Sequence, residues 1–330
     1  MARRVCVTAE APSSSANLGS GFDVVAVAHS AYRDRVRACV EPCSGGYSVE
    51  VEAFLGPEAR CAGGAATARR AVESLLEDLG LRGSVRVELE VWKGVPPGRG
   101  LGSSGASAAA AVYAASRALE LAGLTPRGAS IRGLVAHAGE GEAVAAGAPH
   151  YDNVAASLLG GVALVARTPG GLLVESYRPP CPVYLALAVP LEPPGPGKTR
   201  AMRGILPGTL TLREATAYAG RAAMLASALA CCRLEAAGKL MMADDIVEAR
   251  RAMLHPCYEE AVRAALDSGA LGVSLSGAGP SMVALAGDPK AATGAAEAMA
   301  GVYRESCGPA RPLVAELALW GARVVGVDEG

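Results

Sequence analysis

The chain has 330 residues, room for two ordinary domains or one large one, and its 51% hydrophobic and 4% aromatic content supplies a core with few stacking platforms. Thirty-one basic residues against 32 acidic ones, with no basic run, exclude an electrostatic footprint for nucleic acid. No apolar stretch approaches the ~20 residues of a membrane span, and Met1-Ala-Arg-Arg-Val-Cys-Val leads into no signal-peptide core. A cytoplasmic protein without membrane or nucleic-acid partners is expected. The nine cysteines are irregularly spaced, and Cys231-Cys232 is the one close pair. No zinc or redox motif emerges, so they read as small buried hydrophobes, with disulfides open to an intracellular protein of a hyperthermophile.

In chain order, residues 5–9 alternate as a strand, and 11–23 form an extended Gly/Ser-rich segment carrying one amide, Asn17, and one carboxylate, Asp23. Residues 24–28 are apolar again. A helix fits 65–79 and stops at Gly80, and Val85 to Trp92 alternates as a half-buried strand. Then comes Pro96-Pro97-Gly98-Arg99-Gly100-Leu101-Gly102-Ser103-Ser104-Gly105-Ala106-Ser107, followed by an Ala/Leu-rich helix over 106–121. After the stop at Gly123-Leu-Thr-Pro126, a helix over 130–147 carries Glu140 and Glu142. Pro149-His150-Tyr151-Asp152-Asn153 and an apolar run over 158–165 come next. A strand over 184–189, a strand–turn–strand over 273–285, a helix over 291–300 and a last strand within 315–325 complete the chain.

The stretch at 96–107 has the chemistry of a phosphate loop. Its glycines clear side chains so that backbone N–H groups can close on an anion, and Ser103 and Ser104 are placed to cap the helix whose positive end faces it. It is not a Walker A loop, which ends in Gly-Lys-Ser/Thr. Gly100-Leu-Gly102-Ser-Ser-Gly105 matches the dinucleotide fingerprint, but that fold wants its first glycine directly after the strand and an acidic residue beyond a second strand. Here residues 93–99 intervene and Glu120 lies in the same helix. A second Walker-like ending, Gly197-Lys198-Thr199, has Glu192 where a glycine is required, and Pro193, Pro194 and Pro196 remove backbone donors.

Residues 96–106, Pro-x-x-x-Gly-Leu-Gly-Ser-Ser-x-Ala, resemble the ATP loop of the GHMP small-molecule kinases. Residues 14–23 resemble the N-terminal signature of the homoserine kinases within that superfamily, Ser-x-Ala-Asn-Leu-Gly-x-Gly-Phe-Asp. Thr199-Arg-Ala-Met-Arg203-Gly-Ile-Leu-Pro207 and Glu248-Ala-Arg-Arg251-Ala-Met-Leu-His-Pro256 are similar to two further family motifs, and 273–285 to the third GHMP motif. The order and spacing of these motifs, from about residue 5 to 325, carry the resemblance more than any one string.

The resemblance implies an α+β, two-domain fold. An N-terminal ATP-binding domain over 1–165 would contain a left-handed βαβ crossover, and a ferredoxin-like domain would span 166–330. It implies transfer of phosphoryl from ATP to the side-chain hydroxyl of L-homoserine, with residues 97–107 on the phosphates. Glu142, eight residues ahead of His150-x-Asp152-Asn153, would hold Mg²⁺ with Ser104 or a neighbouring serine, while Glu140 faces solvent. Asn17, Asp23, His150, Asp152, Thr199, Arg203 and Arg251 would line the acceptor pocket, with Arg200 and Arg250 as surface neighbours. Asp152, Asn153 and Arg203 are the catalytic candidates: Asn153 positions the hydroxyl, Asp152 binds substrate, and Asp152 is the one group worth testing as a base. Relatives carry an adenine-binding Asn near 61–66, where this chain reads Cys-Ala-Gly-Gly-Ala-Ala, so no adenine contact is assigned. A homodimer is compatible with the family, although the sequence itself specifies no oligomeric state. The alternatives are another GHMP kinase, acting on shikimate or in the mevalonate branch, and a GHMP-fold binding protein without catalysis.

Overall fold

The computed structural model describes residues 4–43, 48–59, 64–81, 83–125, 129–195 and 197–329. The stretch at 61–63, Pro126 and Pro196 lie outside them. The first half of the chain contributes strands β1 (Val5–Asn17), β2 (Gly21–Pro42), β3 (Ser48–Leu55) and β4 (Val85–Trp92), with helix α1 (Gly64–Asp78) between β3 and β4. Helices α2 (Ser103–Leu121), α3 (Leu134–Ala146) and α4 (Tyr151–Leu159) follow, then the hairpin β5 (Val162–Thr168) and β6 (Gly171–Tyr177). β3 and β4 pair in parallel across α1, and β1, β2 and β4 pair antiparallel. β5 joins the start of β2. In β4, Val85, Val87, Leu89 and Val91 are buried while Arg86 and Glu90 face water, the alternation of a one-sided sheet. α2 differs: Ala108 to Ala111, Ala114, Ala115 and Ala118 are all buried. Their small side chains let α2 lie against α1, α3 and the sheet together, within one core.

The second half supplies β7 (Tyr184–Pro190), helices α5 (Lys198–Gly204), α6 (Leu212–Ala230), α7 (Leu234–Met241), α8 (Glu248–Ala252) and α9 (Tyr258–Asp267), then β8 (Gly272–Leu275), β9 (Met282–Ala286), α10 (Pro289–Ser306), β10 (Ala310–Glu316) and β11 (Arg323–Glu329). β7 to β10 form an antiparallel sheet in the order β10-β7-β9-β8. That is the fourth, first, third and second strand arrangement expected of a ferredoxin-like unit.

Two expectations change. The single strand within 315–325 is two strands, and the second, β11, returns to the first sheet, where Val5 faces Glu329. The 165/166 boundary falls inside β5, and the larger sheet also holds β6 and β11. The cysteines are not all free small hydrophobes either. Cys6–Cys39 joins β1 to β2, Cys181–Cys232 joins the segment before β7 to the end of α6, and Cys257–Cys307 ties the start of α9 to the end of α10. No helix among the described residues is long and apolar enough to cross a membrane.

Candidate active site

The glycine loop takes its shape from backbone that other residues rarely adopt. Gly98, Gly100 and Gly102 have φ of 73°, 80° and 66°. A Cβ on Gly100 would fall 2.1 Å from the Ser276 carbonyl oxygen, and one on Gly102 would fall 2.1 Å from Ser14 Oγ. Gly102 is the N-cap of α2, and no side chain caps it. Ser103 does not cap as expected, because it lies inside the first turn and its hydroxyl donates to the Val95 carbonyl at 2.8 Å. The first amides of α2 therefore stay open for an anion.

Beneath the loop lies a buried ion pair that the motifs did not reveal. Lys93 donates to Asp34, to the Ser103 carbonyl at 2.8 Å and to Ser107 Oγ at 2.8 Å. Asp34 accepts from the Gly94 and Val95 amides, each at 2.9 Å, and from Ser107 Oγ at 2.6 Å. All three ammonium protons are thereby used, and both ends of the glycine loop are pinned to one carboxylate. Ser107 is thus a structural partner and not a phosphate contact. Arg99 is likewise turned away, its guanidinium bonding the carbonyls of Pro190, Pro97 and Leu191. Leu101 and Ala106 are core residues, and Gly105 is buried in α2 beside Asn153. Of the eleven expected loop residues, Pro97, Gly98, Gly100, Gly102, Ser103 and Ser104 line the cavity.

That cavity, about 230 Å³, has the acceptor candidates on its other wall. Asn17, at φ 74°, donates through Nδ2 to the Gly277 carbonyl at 3.0 Å and accepts the Asp23 amide at 3.2 Å. Asp23 pairs with Arg203 at 2.6 Å, and Arg203 also reaches His150 Nε2 at 3.1 Å. Arg251 is buried and donates to the Gly277 carbonyl at 3.1 Å. The Phe22 ring lies 5.1 Å from the Arg251 guanidinium and 5.5 Å from that of Arg203. Phe22 was legible as part of Gly-Phe-Asp, but not as a platform spacing two guanidinium groups. Thr199 lies in α5, and its side chain is outside the described residues. Arg200 is exposed, and the half-buried Arg250 bonds the Ile246 carbonyl.

α3 and α4 bring the remaining groups. Asp152 is buried, and its carboxyl is pushed up to about 7 by burial and by the nearby Asp23 charge. Asn153 accepts from Ser14 Oγ at 2.9 Å, so its amide is oriented by β1. Glu142 is 5% exposed; one oxygen lies 3.5 Å from His150 Nδ1 and the other, buried, has no partner among the described residues. Burial lowers the His150 pKa, but the Glu142 carboxylate outweighs it and the net shift is upward. An orphaned carboxylate oxygen on a residue that lines the same cavity as Ser104 fits a hard cation. Mg²⁺ takes few protein ligands and completes its shell with phosphate and water, so no larger ligand cluster is required. Lys198 also lines the cavity, as do Lys93 and Thr67.

The chain matches the family model described as the GHMP kinases N terminal domain over residues 66–161 and that of the GHMP kinases C terminal over 225–305. It is 49% identical to a homoserine kinase of Aeropyrum pernix, covering 91% of each chain, and 46% identical to one of Pyrobaculum neutrophilum, over 84% of this chain and 87% of that one. The crystal structure of a homoserine kinase from Cytophaga hutchinsonii superposes with a TM-score of 0.82, at 31% identity and 97% coverage of both chains. A mevalonate kinase of L. major, solved with R-mevalonate, shares the fold at a TM-score of 0.64 and 17% identity, over 96% of each chain.

Proposed function

The chain belongs to the homoserine kinases of the GHMP kinase family, and from that premise we propose that it transfers the γ-phosphoryl group of ATP to the side-chain hydroxyl of L-homoserine. The observation that carries this reading is convergence. Asn17, Asp23, Arg203 and Arg251, drawn from both ends of the chain, face the glycine loop across one cavity. Asp23 takes the acceptor's ammonium group and the Arg203 and Arg251 guanidinium groups its carboxylate; Asp23 and Arg203, now paired with each other, exchange that contact for the zwitterion. Gly98 to Ser104 and the open amides of α2 hold the β- and γ-phosphates. Glu142 and Ser104 would hold Mg²⁺, which neutralises phosphate charge when bound.

Transfer is chiefly positioning and charge stabilisation. The bond from the γ-phosphorus to the bridging oxygen breaks, leaving its electron pair on ADP, as the acceptor oxygen forms the new P–O bond. Asn153 orients that hydroxyl, and Asp152 binds the same end and takes its proton. We assign the reaction to the cytoplasm, where ATP is available.

A pocket that pairs both charges of a zwitterion leaves its own groups unsatisfied around any acceptor lacking them. We therefore expect kcat/KM for L-homoserine to exceed that for shikimate or mevalonate by roughly 10⁴. An ADP-coupled assay with the three acceptors side by side checks this; comparable turnover of shikimate would overturn the assignment.

A further inference from the structure

Gly197-Lys198-Thr199 forms no Walker loop, yet its lysine reaches the cavity. Lys198 opens α5, five positions before Arg203. Its Nζ donates to the carbonyls of Ala278, at 3.2 Å, and Gly279. Those carbonyls belong to the 276–281 turn between β8 and β9, which touches both halves of the site. Toward the nucleotide, Ser276 Oγ donates to the Gly100 carbonyl at 2.7 Å and the Ser281 amide to the Arg99 carbonyl at 3.2 Å. A Cβ on Gly100 would stand 2.8 Å from the same Gly279 oxygen that Lys198 holds. Toward the acceptor, the turn offers the Gly277 carbonyl to Asn17 and Arg251. The ammonium is thus held on the turn that bonds both the glycine loop and the acceptor's Arg251, and it lines the cavity they share.

An ammonium has three donors, and two are spent on these carbonyls. No carboxylate pairs with Lys198 among the described residues. Burial, and then the charge of Arg251, bring its pKa down to about 7. A desolvated cation beside further cations lacks one thing, an anion, and a phosphoryl group supplies it.

We propose that Lys198 contacts the γ-phosphoryl group of bound ATP and stabilises the charge on its oxygens during transfer. This rests on the kinase reading above. The bonds made and broken are those already given: the leaving electron pair goes to ADP, the hydroxyl proton to Asp152, and Lys198 keeps its own protons throughout.

The test uses the full chain and the variants Lys198→Met and Lys198→Arg, with Mg²⁺ present. Affinities for ADP and for a non-hydrolysable ATP analogue are measured by calorimetry, and kinetics with L-homoserine are measured alongside. Lys198→Met should weaken the analogue by about tenfold and leave ADP unchanged. It should lower kcat by about 10²-fold, with the homoserine KM within about threefold of wild type. Lys198→Arg, which keeps the charge, should retain kcat to within about tenfold. Should Lys198→Met melt early, Lys198→Gln carries the same readouts. The proposal is overturned if ADP and the analogue weaken together, if kcat for Lys198→Met stays near wild type, or if Lys198→Arg is as inactive as Lys198→Met. Wild-type enzyme that ignores homoserine but shows the ADP/analogue split would remove the acceptor assignment and leave the lysine contact standing.

Discussion

At the scale of single residues, the site is organised by carboxylates in different surroundings. Asp23 is half-exposed and paired with Arg203, which suits it to bind a cationic group. Asp152, one helical step from Asn153, is buried without a cation bonded to it, so its carboxyl titrates near neutral pH. Ionised Asp152 is the form that can accept a proton, and its fraction grows as pH rises through about 7. Wild-type kcat should therefore climb with pH to that point and level off. Asp152→Asn should lower kcat by about 10²- to 10³-fold and flatten this limb. A pH–rate profile of both proteins checks it, and a limb that survives in Asp152→Asn would assign the proton elsewhere. That these residues would meet at one cavity was readable in advance, because each sits in a motif whose order matched the family. The direction of individual side chains was not. Arg99 and Ser107 share the loop's string with Gly100 and Ser104, yet one braces three carbonyls and the other an ion pair.

At the scale of elements, the phosphate loop is held from below by β2 and β4 through Asp34 and Lys93, both essentially without solvent access. The two are 59 residues apart, and a lysine just past a strand reads locally as a surface charge. Its partner is a tertiary fact that no local period encodes. Removing one member of a fully buried pair leaves the other uncompensated. Asp34→Ala should cost on the order of 3–5 kcal/mol of stability, and Asp34→Ala with Lys93→Met should recover part of that. Urea unfolding of the three proteins measures it; a single variant as stable as wild type would mean that the loop does not depend on this pair. The strand β11 escaped prediction for a similar reason. Its pairing with β1 joins residues more than 300 positions apart, and period-two alternation identifies a strand but not its sheet.

At the scale of the whole molecule, the candidate site lies where the two sheets' units meet, and the 276–281 turn is the joint. It bonds β1 through Ser15 and Ala16, the phosphate loop through Arg99 and Gly100, and the acceptor arm through Arg251. Three disulfides, closing 33, 51 and 50 residues, hold the surrounding elements, each worth on the order of 2–4 kcal/mol by the chain-entropy argument. Such a frame holds the charged side chains and the glycine loop in place, so that the proposed site need not be assembled at each turnover. The most direct measurement of this account is the product itself. After incubation with ATP, Mg²⁺ and L-homoserine, phosphorus NMR with amino-acid analysis should find ADP and O-phospho-L-homoserine formed in equal amounts. ADP accompanied by inorganic phosphate alone would contradict it.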